Sequence, residues 1–543
     1  MLGRMQEWPL LIHKIIDFAA VQHPNREVVS RSLEGPMHRT NYRAIRQRAL
    51  QGAQTLARDG VKAGDRIATL AWNGYRHMES WYAITGIGAV YHTVNPRLFP
   101  EQIVWIINHA EDRIVFLDLT FVSLMEALAD KLPTIEKYII LTDAAHMPAT
   151  KLRNAVAYED WLAQSDGDFA WANFDERTAA GLCYTSGTTG NPKGVLYSHR
   201  SNLLHSLAVT AGDGMLLTPG DTMLPIVPMF HANSWSLAFS CPMRGAKMVM
   251  PGAKLDGASI YELIDSEGVT MTAAVPTVWM MLHAYLQAEG KKTPPSLKRV
   301  LIGGSACPPA LIRAFEVDYG VEVFHAWGMT EMSPIGSTGT MKPSVKGLSR
   351  DDTLTLKAKQ GWSPFGVEMK IVDDDNKELP WDGKIFGRLK VAGFAVVESY
   401  FKDEGGKILD EHGFFDTGDV ATIDVNGYMQ ITDRAKDVIK SGGEWISSIE
   451  IENLAVGHPE VMEAAVIGVA HPKWDERPLL IIVPKAGKTP PRADVLAYLS
   501  ARLAKWQVPD DMKIVAEIPH TATGKINKMK LRETFKDYRL PDA

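Results

Sequence analysis

Tyr184-Thr185-Ser186-Gly187-Thr188-Thr189-Gly190-Asn191-Pro192-Lys193-Gly194 is the stretch on which the reading of this chain turns. A small apolar run, Ala179 to Cys183, leads into it and Val195-Leu196-Tyr197 leads out, so it reads as a turn between two short strands. Its three glycines admit positive φ and a close approach of backbone to a ligand. The hydroxyls of Thr185, Ser186, Thr188 and Thr189, the backbone N–H groups and Lys193 together suit phosphate oxygens. The pattern is not a Walker loop, because counting from Gly187 puts Pro192 where glycine is needed and Gly194 where Ser or Thr is needed. A polar surface hairpin is the plainer alternative, but so dense a cluster of hydroxyls, glycines and a lysine favours a phosphate cradle.

Outward from this stretch the chain alternates. Leu11, Ile15, Phe18 and Ala19 mark an amphipathic helix stopping near Pro24, and Thr40 is expected to cap a helix running to about Arg58. Strands at 67–70, 90–94 and 114–117 alternate with helices at 77–87 and 100–110. Beyond the loop come strands at 248–250, 269–273 and 299–303, with helices at 259–267, 276–289 and 308–319. Such alternation predicts an α/β fold, a large N-terminal domain of helix-flanked, mostly parallel sheets. From about Gly361 short strands and frequent turns predict a β-rich subdomain over 361–434, and residues 435–543 read as a small α+β domain. With 543 residues, 45% hydrophobic and 22% charged, the chain is long enough for such a division. A net charge of −6 gives no reason to expect nucleic acid or a membrane surface as partner. Cys183, Cys241 and Cys307 form no CxxC pair, so neither disulfides nor a zinc site is expected. No apolar run approaches membrane-spanning length, Met1 to Ile16 carries no signal-peptide core, and Leu540 to Ala543 matches no ER or peroxisomal address. A cytoplasmic protein is expected.

Seven further motifs carry chemistry. Pro228-Met-Phe-His231-Ala-Asn-Ser-Trp235 places His231 directly after an aromatic residue and ends in Trp235, and taken alone both read as ordinary packing residues. Gly303-Gly304-Ser305-Ala306-Cys307-Pro308 reads as strand, turn and helix start; it lacks GxSxG, so it is no nucleophile elbow, and Cys307 reads as a small apolar filler. His325-Ala326-Trp327-Gly328-Met329-Thr330-Glu331 offers a flat ring and a pair of hard oxygen ligands suited to Mg²⁺. Asp419, closing Gly413-Phe-Phe-Asp-Thr-Gly-Asp419, suits a sugar diol. Thr432-Asp-Arg434-Ala-Lys436-Asp437 runs into Ser441-Gly442-Gly443-Glu444-Trp445-Ile446, and Gly524-Lys525-Ile526 lies near the end. In this order the motifs closely resemble the adenylate-forming superfamily: acyl-CoA synthetases, peptide-synthetase adenylation domains and beetle luciferases.

The resemblance implies roles. ATP and CoA would be held by Thr185, Ser186, Gly187, Thr188, Thr189, Lys193, Gly304, Ser305, Ala326, Trp327, Gly328, Met329, Thr330, Asp419, Ile431, Arg434, Lys440, Gly442, Gly443, Glu444 and Trp445. Thr330 and Glu331 would bind Mg²⁺; Lys525, Glu331 and His231 would be catalytic; and His231, Trp235, Gly303 and Gly304 would border the acid. Trp235 looks like the gate tryptophan of long-chain acyl-CoA synthetases. Lys436 would be the hinge of a mobile C-terminal domain, and the assembly a homodimer. Arg388 stands where relatives often have glutamate, which does not threaten the chemistry. His231 stands where peptide-synthetase domains usually have aspartate for an amino group, and no carrier domain is expected after Lys525. A luciferase shares the fold without anything here specifying it, and a non-catalytic nucleotide sensor would be expected to lack Lys525 or Glu331. The expected activity is therefore an ATP- and Mg²⁺-dependent carboxylic acid–CoA ligase. It looks closest to fatty acyl-CoA synthetases, in the branch that includes enzymes for 3-methylmercaptopropionate, which implies a short- or medium-chain acid such as that one, with a medium- or long-chain fatty acid as the alternative.

Overall fold

A computed structural model describes residues 1, 3–185, 191–442, 444–521 and 525–541, with backbone alone at 444–445. The strands Arg66–Leu70, Val90–Thr93, Ile114–Leu117, Lys137–Ile140 and Ala179–Tyr184 lie parallel in a seven-stranded sheet. Gly194–Ser198 closes its edge antiparallel to Ala179–Tyr184. Ile114–Leu117 is buried throughout, as a strand covered by helices on both faces must be. A second sheet of eight strands has the parallel core Thr222–Pro225, Lys247–Met250, Met271–Ala274, Arg299–Ile302 and Glu322–Gly328. Its edge carries two strands that the hydrophobic pattern did not disclose, Glu27–Arg31 and Met37–Asn41. The second is polar at every position after Met37 and only partly buried, so it offers no alternation to read.

The β-rich region is a four-stranded antiparallel sheet, Val367–Val372, Gly387–Gly393, Phe415–Ile423 and Met429–Arg434, with Asp419 directly across from Arg434. From Ile439 onward the strands belong to a different sheet, built around the antiparallel pair Val461–His471 and Asp475–Pro484. The fold class expected from the sequence holds.

Two local readings are corrected. Thr40 does not cap the second helix, because it lies in the edge strand paired with Val28. The cap is Asn41, whose Oδ1 accepts from the N–H of Ala44 at 2.9 Å ahead of the helix Tyr42–Arg58. The helix expected over 308–319 is a short α-helix, Pro309–Arg313, that loosens into a π-turn over Ala314–Asp318. Asn41→Ala is therefore expected to cost about 1 kcal/mol of stability in urea unfolding, with Thr40→Ala well below it.

Candidate active site

The hairpin after Ala179–Tyr184 and the loops after Thr222–Pro225, Arg299–Ile302 and Glu322–Gly328 all leave the carboxyl ends of strands, which is where open α/β sheets place their ligands. The first is the hairpin between Ala179–Tyr184 and Gly194–Ser198. Thr185 N–H donates to Lys193 O at 2.9 Å, and Lys193 N–H returns to Thr185 Oγ1 at 3.1 Å. Lys193 is exposed, its Nζ 4.8 Å above the ring of Tyr400. Ser186, Gly187, Thr188 and Thr189 lie outside the described residues, as does Gly443.

The loop after Glu322–Gly328 carries Thr330 and Glu331, both buried. Tyr197 Oη donates to Thr330 O at 2.7 Å, and Val397 N–H donates to Glu331 O at 2.8 Å. The Tyr400 hydroxyl donates to Glu331 Oε1 at 2.8 Å. Burial pushes the Glu331 carboxyl upward, opposed by Tyr400 and by the charges of Arg434 and Lys525. Among the described residues no group of three or more His, Cys, Asp or Glu could enclose a metal. One carboxylate and one hydroxyl instead suit a cation that completes its shell from phosphate oxygens and water, as Mg²⁺ does.

Asp419 is buried and held from two sides, by Arg434 Nε on Oδ1 at 2.9 Å and by Trp327 Nε1 on Oδ2 at 2.8 Å. Each carboxylate oxygen keeps a second lone pair for a diol. Ala326 and Gly328 flank Trp327 on its strand, Met329 follows with its N–H on Pro334 O, and the Ile431 N–H donates to Gln360 Oε1 at 2.6 Å.

His231 lines a small cavity with Thr93, Leu98, Ile106, Phe230 and Thr185. Its pKa is lowered to about 4, first by burial and then by the charges of Lys525 and Arg97, so the imidazole is neutral at pH 7. Trp235 is buried against the glycine turn: a Cβ on Gly303 would stand 3.2 Å from its ring, and one on Gly304 3.9 Å. Gly304 also has φ +85°, closed to most side chains. Ser305 next to it is exposed.

Thr521 N–H donates to Lys525 O at 2.7 Å, and Lys525 N–H returns to Thr521 Oγ1 at 3.2 Å. Its ammonium shares one electrostatic field with Arg434, Asp419, Glu331 and His231. Lys440 and Gly442 are held elsewhere, on the 471–476 turn: Gly442 N–H donates to Trp474 O at 2.9 Å and Lys440 N–H to Glu476 Oε2 at 3.0 Å. Lys436 is exposed in the turn between Arg434 and Ile439, where Arg532 ion-pairs with Asp437 at 2.5 Å. Sequence reasoning missed Tyr400, Tyr197 and Arg97. A lone tyrosine or arginine between loops has no periodicity, and only the three-dimensional contact with Glu331, Thr330 or His231 singles it out.

The sequence profile of the AMP-binding enzyme family matches residues 16–401, and that of the AMP-binding enzyme C-terminal domain matches 450–525. The chain belongs to this family. It is 49% identical over 99% of both chains to a 3-methylmercaptopropionyl-CoA ligase of Ruegeria lacuscaerulensis, and 47% identical to a medium-chain-fatty-acid–CoA ligase of Ectopseudomonas oleovorans over 99% of this chain and 98% of that one. The crystal structure of an anthranilate CoA ligase in complex with anthranoyl-AMP superposes with a TM-score of 0.85 at 25% identity, covering 98% of this chain and 99% of that one.

Burial, reinforced by Arg434, lowers the Lys525 pKa to about 8. The ammonium is then present at pH 7 and lost as pH rises through that value. The kcat/KM for ATP in adenylate formation is expected to fall above about pH 8, and Lys525→Arg, which stays charged, to lose that alkaline limb.

Proposed function

We propose that this protein is an AMP-forming acid–CoA ligase acting on a short- or medium-chain carboxylic acid, with 3-methylmercaptopropionate as the preferred substrate. The single observation that carries the reading is the placing of Lys525 where its charge acts on Glu331, Asp419 and His231, with Arg434 ion-paired to Asp419 and His231 lining a small cavity of mixed polarity. The family match and the 49% relative support the reaction class and the acid.

In the first half-reaction a carboxylate oxygen bonds to the α-phosphorus of ATP, the α–β bridging bond breaks and pyrophosphate leaves. Two anions meet, so positive charge at the reacting centre is the main requirement. Lys525 supplies it at the α-phosphate and Lys193 at the outer phosphates. Neutral His231 borders the acid without competing for its charge. Asp419 holds the ribose diol, with Arg434 and Trp327 fixing its carboxylate, and the Trp327 ring carries adenine. Thr330 and Glu331 would hold Mg²⁺, which when bound draws charge off the phosphates. In the second half-reaction the CoA sulfur bonds to the acyl carbon, its proton leaves to solvent, and AMP departs. Lys440, Gly442, Gly443, Glu444 and Trp445 serve that step.

Residues 435–543 act as a domain that turns between the two steps about Lys436. What supports this is that Lys525 faces Glu331 and Asp419 while Gly442 is tied to Trp474, so one rigid arrangement does not present both. The enzyme works in the cytoplasm as a homodimer; light scattering showing the mass of a single chain would contradict the assembly.

Lys525→Ala is expected to slow adenylate formation roughly a hundredfold or more while thioester formation from synthetic acyl-adenylate persists. Equal collapse of both half-reactions in a folded variant would refute the role. Lys436→Pro fixes φ and removes a donor. It is expected to give a single burst of pyrophosphate and almost no acyl-CoA, and normal steady-state thioester output would move the hinge elsewhere. Pyrophosphate release across acids from acetate to palmitate, with 3-methylmercaptopropionate included, tests the substrate. A maximum at a medium or long fatty acid would favour the activity named for the 47% relative instead.

A further inference from the structure

Residues Ala232, Asn233, Ser234, Trp235 and Ser236 all have positive φ, between 42° and 65°. Asn233, Ser234 and Trp235 have ψ of 30°, 39° and 38°, so this is a full left-handed turn built from residues that carry a Cβ. Such a conformation is unfavourable for each of them and persists only where its surroundings over-determine it. The surroundings here are two closed sets of buried hydrogen bonds.

One set is a ring. Tyr91 Oη donates to Asn233 Oδ1 at 2.8 Å, Asn233 Nδ2 donates to Asn202 Oδ1 at 3.1 Å, and Asn202 Nδ2 donates back to Tyr91 Oη at 3.3 Å. The Tyr91 ring is itself stacked on Trp81 at 4.4 Å. The second set runs through His205, which is buried and whose pKa burial lowers to about 3. Ile335 N–H donates to His205 Nε2 at 3.0 Å, so a neutral ring carries its proton on Nδ1. That proton goes to Ser236 Oγ at 2.6 Å, which frees the serine hydroxyl to donate to Ser333 O at 3.3 Å. Both ends of Trp235 are thus pinned, Asn233 on one side and Ser236 on the other, and its indole is held over the Gly303–Gly304 turn.

We infer that Asn233 and His205 are positioning residues that hold Trp235 in its left-handed turn and so set the length of acid the pocket accepts. The inference rests on the reading that Trp235 borders the acyl pocket, and it adds what keeps the indole there. Neither residue lines the cavity beside His231. The His205–Ser236–Ser333 chain also ties this wall to the loop two residues beyond Glu331, so acid length and nucleotide geometry share one support.

The test is the ratio of kcat/KM for decanoate to that for butyrate, measured in one preparation so that the folded fraction cancels. Trp235→Ala opens the wall and is expected to raise the ratio. His205→Gln is expected to raise it roughly tenfold, the scale of one or two buried hydrogen bonds, with KM for ATP little changed. Asn233→Gly keeps the left-handed backbone accessible while cutting the ring, and is expected to shift the ratio in the same direction. If Trp235→Ala moves the ratio and neither His205→Gln nor Asn233→Gly does, the positioning role is overturned while the pocket reading stands. If Trp235→Ala itself leaves the ratio unchanged, the pocket reading fails and the inference with it.

Discussion

A carboxylate approaching a triphosphate is one anion meeting another, and the arrangement of this protein answers that repulsion. Positive charge has to stand at the phosphates without being neutralised beforehand by the protein's own carboxylates. Glu331 and Asp419 are accordingly engaged: Tyr400 occupies one oxygen of Glu331, and Arg434 and Trp327 hold Asp419. Among the described residues Lys525 forms no ion pair, although both carboxylates act on its charge. Burial lowers its affinity for its proton, so the ammonium is costly without a counter-charge and is drawn to an anion.

The same constraint explains why the β-rich region packs where it does. Its paired strands supply Asp419 and Arg434, and the segment following Gly387–Gly393 supplies the Val397 N–H and the Tyr400 hydroxyl to Glu331. The Tyr400 ring also sits beneath Lys193, so one side chain touches both the phosphate hairpin and the loop that would hold Mg²⁺. A residue of this kind communicates position rather than charge. It relates the two parallel sheets to the nucleotide through a hydroxyl and a ring face.

Much of this was legible from residue order. The parallel strands were readable because each is a short buried apolar run, as at Ile114–Leu117. The loops proposed to form the site stood out because phosphate, diol and metal chemistry favours hydroxyl, carboxylate, lysine and glycine. Other features are tertiary and left no local mark. Met37–Asn41 is polar and half-buried, and Thr40 has the chemistry of a cap but is drawn into the sheet edge one residue early. The left-handed run at Ala232–Ser236 has no glycine to announce it, since its stability comes from Tyr91, Asn202 and His205 far away in sequence. Tyr400 likewise acquires meaning only from Glu331.

The central claim is that the acid is activated by transfer of adenylate to its own carboxylate. Supplying the acid with heavy oxygen in that carboxylate, together with ATP, Mg²⁺ and CoA, tests this directly, because the bridging oxygen stays with AMP when the thiol expels it. Mass spectrometry of the products is expected to find one labelled oxygen in AMP for each acyl-CoA formed. Label in inorganic phosphate with ADP as the nucleotide product, or acyl-CoA formed with unlabelled AMP, would contradict the account.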